Sequence, residues 1–537
     1  MLLDLPPEIL THILLSLPFT LVVICQGVNH HLLALISESI ALQYYIHLGM
    51  SGLADNSCCN LPVSERLSRL LAKERRWEEL DFDFDKIVKV PFGLNIHAKL
   101  STGLFYGVST NERFCSMRIP SVPDREVKWQ EVYSERRIIS SGVCVYEHDL
   151  QVLVTAQPRT LCTNAAEFPT IHEIQVHLNQ LSTGEPHPDA QQATISFETH
   201  EEFENPYTEI VCTGDNLIFV LMDPDSRNKP GDQVYVYEWR TGQLKLRHSA
   251  PFHSYHYPLV LTADILLLSN QNTGELEYWR IPKNPSEPTP NQPFFILASP
   301  QLRSGNTFTY LRCRAEPNPG IRPCDVSKPF YTAPQHAIVV FCIGVQSTGF
   351  VGFMFFVHRS SLVGFLDKFS SSTSFTNRPR PVPYDEWGPP ACRWINGERS
   401  WIEITFGQRF IVPPPERATG RKPLTLIDFN PIDVAKVLAA EKHRLQMGPE
   451  FHAMVVQAMD PLNDPDGCFE NAVYSSLPYT IRISQEKYSF SALILDEESI
   501  LGIKVRNYFP VHHRTVTFCQ QEDEEERVKE LHILHYG

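Results

Sequence analysis

Two periodicities divide the chain. Up to about residue 80, apolar side chains recur at helical spacing. Ile9, Leu10 and Ile13 come first, with Leu17 close behind, followed by Cys25, Val28, Leu32 and Ile36 at offsets of zero, three, seven and eleven. Leu67, Leu70, Leu71, Trp77 and Leu80 then line one side of a further helix. Pro6 and Pro7 before Glu8 predict a helix start, because proline is tolerated in a first turn and an acid there meets the positive end of the macrodipole. Pro18 ends that helix, Thr20 is expected to cap a second helix running through Ile36, and Ser64 to cap a third. The segment Asp81-Phe82-Asp83-Phe84-Asp85 alternates, and the domain boundary is expected there.

Beyond Asp85 the pattern changes to short apolar runs separated by turn residues. The clearest unit is Leu217 to Met222, a turn through Pro230-Gly231-Asp232, Gln233 to Trp239, a Thr241-Gly242 turn and a return through Leu244-Lys245-Leu246. A buried strand, a hairpin, a second strand ending at tryptophan and an outer strand make one propeller blade. The same shape recurs around Leu104–Val108 with Phe114–Ile119, Val152–Val154 with Glu173–Leu178, and Ile265–Leu268 with Gly274–Ile281. It returns in Ala337–Val345 with Phe350–Val357, Trp401–Val412 with Leu424–Phe429, and Ala492–Leu495 with Ile500–Val505. Seven units fit, so a mainly β chain with a small all-α N-terminal module is expected, its residues 86–519 forming a seven-bladed β-propeller. A pair of β-sandwiches is the alternative. The Thr-Gly turns and strand-end tryptophans are similar to WD-type repeats, without their repeated Gly-His and Trp-Asp dipeptides. Proline-rich stretches at Pro282–Pro300, Ser370–Pro390 and Pro413–Pro423 read as long loops, and Asn430 with Pro431 starts a helical insert near 431–447. Residues 520–537 read as an acidic C-terminal tail.

The helical residues carry a family resemblance. The run Leu5-Pro6-Pro7-Glu8-Ile9-Leu10, then Ile13, Leu17, Pro18, Cys25, Val28, Leu32, Leu35 and Ile36, resembles an F-box. Its continuation through Leu42-Gln43-Tyr44-Tyr45-Ile46 and Glu65-Arg66-Leu67 to Arg76-Trp77 is similar to many fungal F-box proteins. The resemblance covers about the first eighty residues: an F-box module at 1–50 and a linker helix region at 51–85. It implies a substrate receptor of an SCF-type cullin ubiquitin ligase, with Leu5, Pro6, Ile9, Leu10, Ile13, Val28, Leu32 and Ile36 supplying the surface and core that dock a Skp-type adaptor. A plain helical cap on the larger domain is the alternative reading of the same residues.

Charge and cysteine usage narrow the partners. The 537 residues hold 47 basic and 62 acidic side chains, net -15, with no long Lys/Arg cluster, so a nucleic-acid partner is not expected. Thirteen cysteines without a C-x-x-C pair suit reduced thiols inside a cell, in cytoplasm or nucleus, and argue against a disulfide scaffold or a cysteine-rich zinc module. The apolar run Ile9–Cys25 is interrupted by His12 and Pro18 and preceded by Asp4 and Glu8, so neither a signal peptide nor a membrane anchor is expected.

No catalytic set emerges. His172 and His177 are five apart, which in a strand sends them to opposite faces, as two surface or rim histidines. The adjacent pairs His30-His31 and His512-His513 point apart, and Glu522–Glu526 reads as a solvated run. The expectation is therefore a non-catalytic receptor without metal or cofactor, whose β domain holds an unmodified or basic target. The alternative is a propeller enzyme or small-ligand binder braced by its helices, which would focus ionisable side chains on the central channel.

Overall fold

Helices α1 (Pro7–Leu15), α2 (Phe19–Gln26), α3 (His30–Glu38) and α4 (Ile40–Ser51) open the computed structural model. It describes residues 5–95, 98–109, 112–159, 171–199, 201–223, 229–320, 326, 328–369, 378–397, 403–414, 420–447, 453–505 and 527–537. Prolines at positions 6 and 18 precede α1 and α2, and side-chain caps start the next two helices. Asn29 Oδ1 accepts from the Leu32 amide at 2.9 Å, and Ser39 Oγ from the Leu42 amide at 3.4 Å.

The expected second helix is thus two helices. Gly27, which costs a helix interior about 1 kcal/mol relative to alanine, closes α2, and Asn29 opens α3. Val28 sits in the turn between them, and Thr20 lies inside α2 instead of capping it. Leu14, Val22, Leu32, Ile36, Leu42 and Ile46 form the core of this module. Gly52 ends α4 at φ +67, where a side chain would be strained and would meet Gln408. The α5 helix (Val63–Glu79) is preceded by Pro62, with Ser64 in its first turn.

Seven antiparallel blade sheets follow in chain order, and the described part of each of the seven sequence units falls within one of them, Trp401 lying outside the described residues. The innermost strands are Lys99–Ser101, Arg137–Cys144, Tyr207–Thr213, Leu259–Thr262, Thr307–Arg314, Thr405–Phe406 and Ala492–Leu495, of blades 1 to 7. The run Leu217–Met222 is the second strand of blade 3, paired on one side with Tyr207–Thr213 and on the other with Asp232–Glu238. Successive blades pack face to face around the ring, and blade 7 returns to blade 1. This is a seven-bladed β-propeller. Blade 6 has five strands and carries the helical insert (Pro431–Met447) between two of them.

Closure differs from expectation. Arg527–His535, read from sequence as tail, forms the third strand of blade 7, between Ser499–Val505 and Phe84–Asn95. The last strand of the chain is therefore held between its neighbour and the first strand of the domain, which forms the outer strand of blade 7 and ties the two ends of the domain into one sheet. Val528, Leu531, Ile533 and Leu534 are buried there, and this burial is the force that overrides the acidic residues before them. Glu522–Glu526 and His512-His513 lie outside the described residues. Two of the proline-rich stretches also hold structure: Phe295–Ala298 is the outer strand of blade 4, and Tyr384–Ala391 is a helix whose Trp387 is fully buried.

The helices are fastened to the ring. Leu53–Asp55 pairs with Phe330–Thr332, Tyr44 donates to Asp55 at 2.8 Å and the Pro329 carbonyl at 3.1 Å, and Asn430 donates to the Met50 carbonyl at 2.8 Å. Glu74 on α5 meets Arg409 at 2.8 Å, and the Arg409 guanidinium lies 4.9 Å from the Trp77 ring.

Candidate functional site

The α1 helix separates its apolar residues by face. Leu10 and Leu14, four apart, are buried, whereas Ile9 and Ile13, also four apart, are 46% and 37% exposed, with Leu5 and Pro6 exposed beside them. Val28 is 64% exposed. Leu10, Leu32 and Ile36 belong to the module's interior, so of the anticipated docking set they shape the module, and Leu5, Pro6, Ile9, Ile13 and Val28 form its outward face. Sequence reasoning missed Leu21, Val23 and Ile24 on α2, Leu33 on α3 and Ile40 at the start of α4, which are also exposed. The signal was present: α2 is apolar almost all round, yet the four-helix module encloses only its Val22.

The propeller channel forms a second constellation, and its members come from different blades. Lys99 of blade 1 meets Glu209 of blade 3 at 3.2 Å, and Tyr207 donates to the other Glu209 oxygen at 2.6 Å. Arg314 of blade 5 lies 3.5 Å from both Glu316 and Glu403 and donates to the Leu100 carbonyl at 3.2 Å. Burial raises the Glu316 carboxyl above its usual range, against the pull of Arg314 and Arg359. Convergence of ionisable groups on the channel, the mark of the alternative reading, is therefore present, but these groups are engaged with one another. They tie blade 1 to blades 3 and 5 across the ring.

The segment following Arg314 crosses one end of the channel. Its Ala315 and Pro317 carbonyls accept from Arg359, its Pro319 carbonyl from Thr213 of blade 3, and its Glu316 carbonyl from the Gly407 amide of blade 6. Farther along, Lys328 reaches Glu497 and Glu498 of blade 7 at 3.4 and 3.2 Å. This is the end on which the helices sit, through the Leu53–Asp55 pairing.

Cys144, Glu147 and His148 bring one ligand atom each within 4.8 Å of one another. Their donors are already engaged: His148 Nε2 bonds the Gly214 carbonyl at 2.8 Å, Nδ1 accepts from Arg240 at 3.4 Å, and Glu147 accepts from the Gly214 amide at 3.0 Å. Cys212 and burial push the Cys144 thiol well above the usual thiol range, and the Arg240 guanidinium beside His148 opposes a cation. The cluster joins blades 2 and 3. His172 and His177 do face opposite sides of their strand, but His172 is buried, bonded to the Phe203 carbonyl at 3.1 Å, and is no surface residue.

Between α5 and blade 6 lies a groove of about 690 Å³ lined by Glu78, Glu79, Asp81, Asp433 and Glu486 together with Lys436 and Arg482. Arg482 is held by both Asp433 oxygens at 2.7 and 2.8 Å, and Lys436 by Glu78 at 2.5 Å, which leaves the acids in excess.

Fold and surfaces together define a seven-bladed β-propeller with a firmly attached helical module that presents an apolar face. No protein family matches the sequence, and no curated protein does. Among solved structures, the chain is similar to the computationally designed Ika8 protein, at 9% identity over 83% of this chain and 98% of that one, TM-score 0.31. It is similar to BamB from Moraxella catarrhalis at 10% identity over 83% and 98%, TM-score 0.31, and to YCF48 bound to D1 peptide at 8% over 52% and 79%, TM-score 0.25. Among the described residues no helix is long and apolar enough to cross a membrane, Pro18 having divided the apolar run, and the ten described cysteines are free thiols.

Proposed function

We propose that this chain is a non-catalytic substrate receptor of an SCF-type ubiquitin ligase acting inside the cell. In this reading α1–α3 dock a Skp-type adaptor and, through it, a cullin scaffold, while the propeller holds a target protein. The observation that carries it is the two-faced α1, with Leu10 and Leu14 inward and Leu5, Ile9 and Ile13 outward, continued by Val28 in the next turn. So much exposed apolar surface on one small module is the property of a docking face, and a few such anchors usually dominate an interface at ~2 kcal/mol or more each. The attachment of α4 and α5 to the ring supports it further, because a receptor must hold its target at a set distance from the ligase. The acid-rich groove between α5 and blade 6 and the net charge of -15 support an unmodified or basic target over a nucleic acid.

The test is co-purification of the full chain from a eukaryotic lysate, probed for the Skp-type adaptor and cullin. Recovery of both by the parent chain, and loss of both from an Ile9→Asp/Ile13→Asp chain with an unchanged circular dichroism spectrum, is the expected outcome. Equal recovery by the two chains would remove the outward face from the interface.

A further inference from the structure

One cation in the channel is left over. Among the described residues Lys99 is matched by Glu209, Arg314 by Glu403, and Glu316 stands between Arg314 and Arg359, whereas Arg312 makes neither an ion pair nor a hydrogen bond. It lies two residues before Arg314 and so on the same face of the strand Thr307–Arg314. Its Nε is sealed from solvent without a partner, while the side chain as a whole remains partly exposed, so the guanidinium tip is open to the channel.

Aromatic rings stand beside it. The guanidinium carbon is 5.8 Å from the Tyr257 ring centroid and 5.1 Å from that of Tyr310. Tyr257 itself holds φ at +28 and His253, four residues earlier, at +60, in a region that bulky side chains rarely occupy. Strain of this kind persists where surrounding structure enforces it and clusters at ligand sites. Here it coincides with an unneutralised cation.

We propose that the propeller channel binds a single carboxylate carried on a flat apolar body, with Arg312 as counter-ion and Tyr257 and Tyr310 as walls. A guanidinium fork fits the two oxygens of a carboxylate. One channel cation without an acid partner among the described residues matches one negative charge, and the neighbouring Glu209 and Glu403 disfavour a phosphate dianion. The site belongs to the propeller alone and goes beyond the receptor reading, so it stands or falls without the adaptor.

Isothermal titration of the purified full chain with sodium benzoate tests it. Saturable one-site binding is expected, weakened about tenfold or more by Arg312→Gln, with benzyl alcohol, the uncharged analogue, about tenfold or more weaker than benzoate and inorganic phosphate unable to displace it. Because Arg312→Gln orphans no acid, the variant should keep or raise the melting temperature of the parent chain. Absence of saturable benzoate binding, unchanged binding by the variant, equal binding of benzyl alcohol or displacement by phosphate each overturns the assignment. A lowered melting temperature of the variant also overturns it, by making Arg312 a structural cation.

Discussion

The indole of Trp77 lies against the phenol ring of Tyr536 with 4.2 Å between centroids and 16° between planes. The last turn of the N-terminal helices thereby rests on the residue that follows the closing strand, and both rings are almost wholly buried. Arg76 on the same turn donates to the Gly537 carbonyl at 2.5 Å and meets Asp83 at 2.7 Å. Helical module and ring closure are therefore one mechanical unit.

Removing that ring should be felt in both parts. Trp77→Ala is expected to destabilise the chain by ~3–5 kcal/mol, the range for truncating a buried aromatic. Hydrogen exchange should rise together in α5 and in the closing strand Arg527–His535. A rise confined to α5 would separate the two.

Deleting residues 527–537 should abolish the native fold. It removes the buried Val528, Leu531, Ile533, Leu534 and Tyr536, exposes the edge of Ser499–Val505 and strips Phe84–Asn95 of its strand partner. Several losses of ~2–5 kcal/mol each exceed the ~5–15 kcal/mol that holds a typical domain together. Calorimetry is expected to find no cooperative transition, and size exclusion to find aggregates. A soluble, cooperatively melting deletion would contradict closure by this strand.

Inward and outward residues of the helical module should respond oppositely. Leu10→Ala and Ile36→Ala each open a cavity and should lower stability by ~2–5 kcal/mol. Ile13→Ser and Val28→Ser, on exposed positions, should change it by within ~0.5 kcal/mol. Denaturant midpoints measured with a probe in the helical module distinguish the pairs, and equal effects would contradict the two-faced arrangement.

Two buried aspartates set a pH dependence. Burial pushes the carboxyls of Asp232 and Asp496 up to about 7 from the ordinary 3.8, although Asp496 faces Lys328 and Asp232 accepts from the Tyr255 amide at 2.8 Å. The folded chain then holds these protons more tightly than the unfolded chain, so their contribution to stability falls as pH rises from 3.8 to about 7. Glu498, held down to about 2 by Lys328 despite its burial, loses its contribution only as pH falls below 4.5. Urea unfolding of Asp232→Asn/Asp496→Asn between pH 5 and 7.5 should show a flatter profile than the parent chain. An unchanged slope would assign the pH dependence to other groups.

Much of the ring was legible in the order of residues. The middle strands of each blade are buried on both faces, so they appear as apolar runs such as Leu217–Met222 and Ile338–Gln346 that need no knowledge of their neighbours. The insert at Pro431–Met447 was equally legible, because proline, cap and apolar spacing act within a few turns. Local signals also named part of the apolar set of the N-terminal helices, Ile9, Leu10, Ile13, Leu32 and Ile36 among them.

Tertiary structure decided the rest. Periodicity makes Leu10 and Ile9 equally apolar, and only the packing of α1 against its neighbours turns one inward and leaves the other exposed. The strand Arg527–His535 follows an acidic run and shows its purpose only when Phe84–Asn95, some 440 residues earlier, arrives beside it. The channel is the extreme case: Lys99, Glu209, Arg314 and Glu403 are spread over about 300 positions, and ring closure alone brings their charges together while leaving Arg312 without an ion pair among the described residues. Helices and strands answer to neighbours along the chain, whereas pairing of charges answers to distance in space, and that distance exists only once the seven blades have closed.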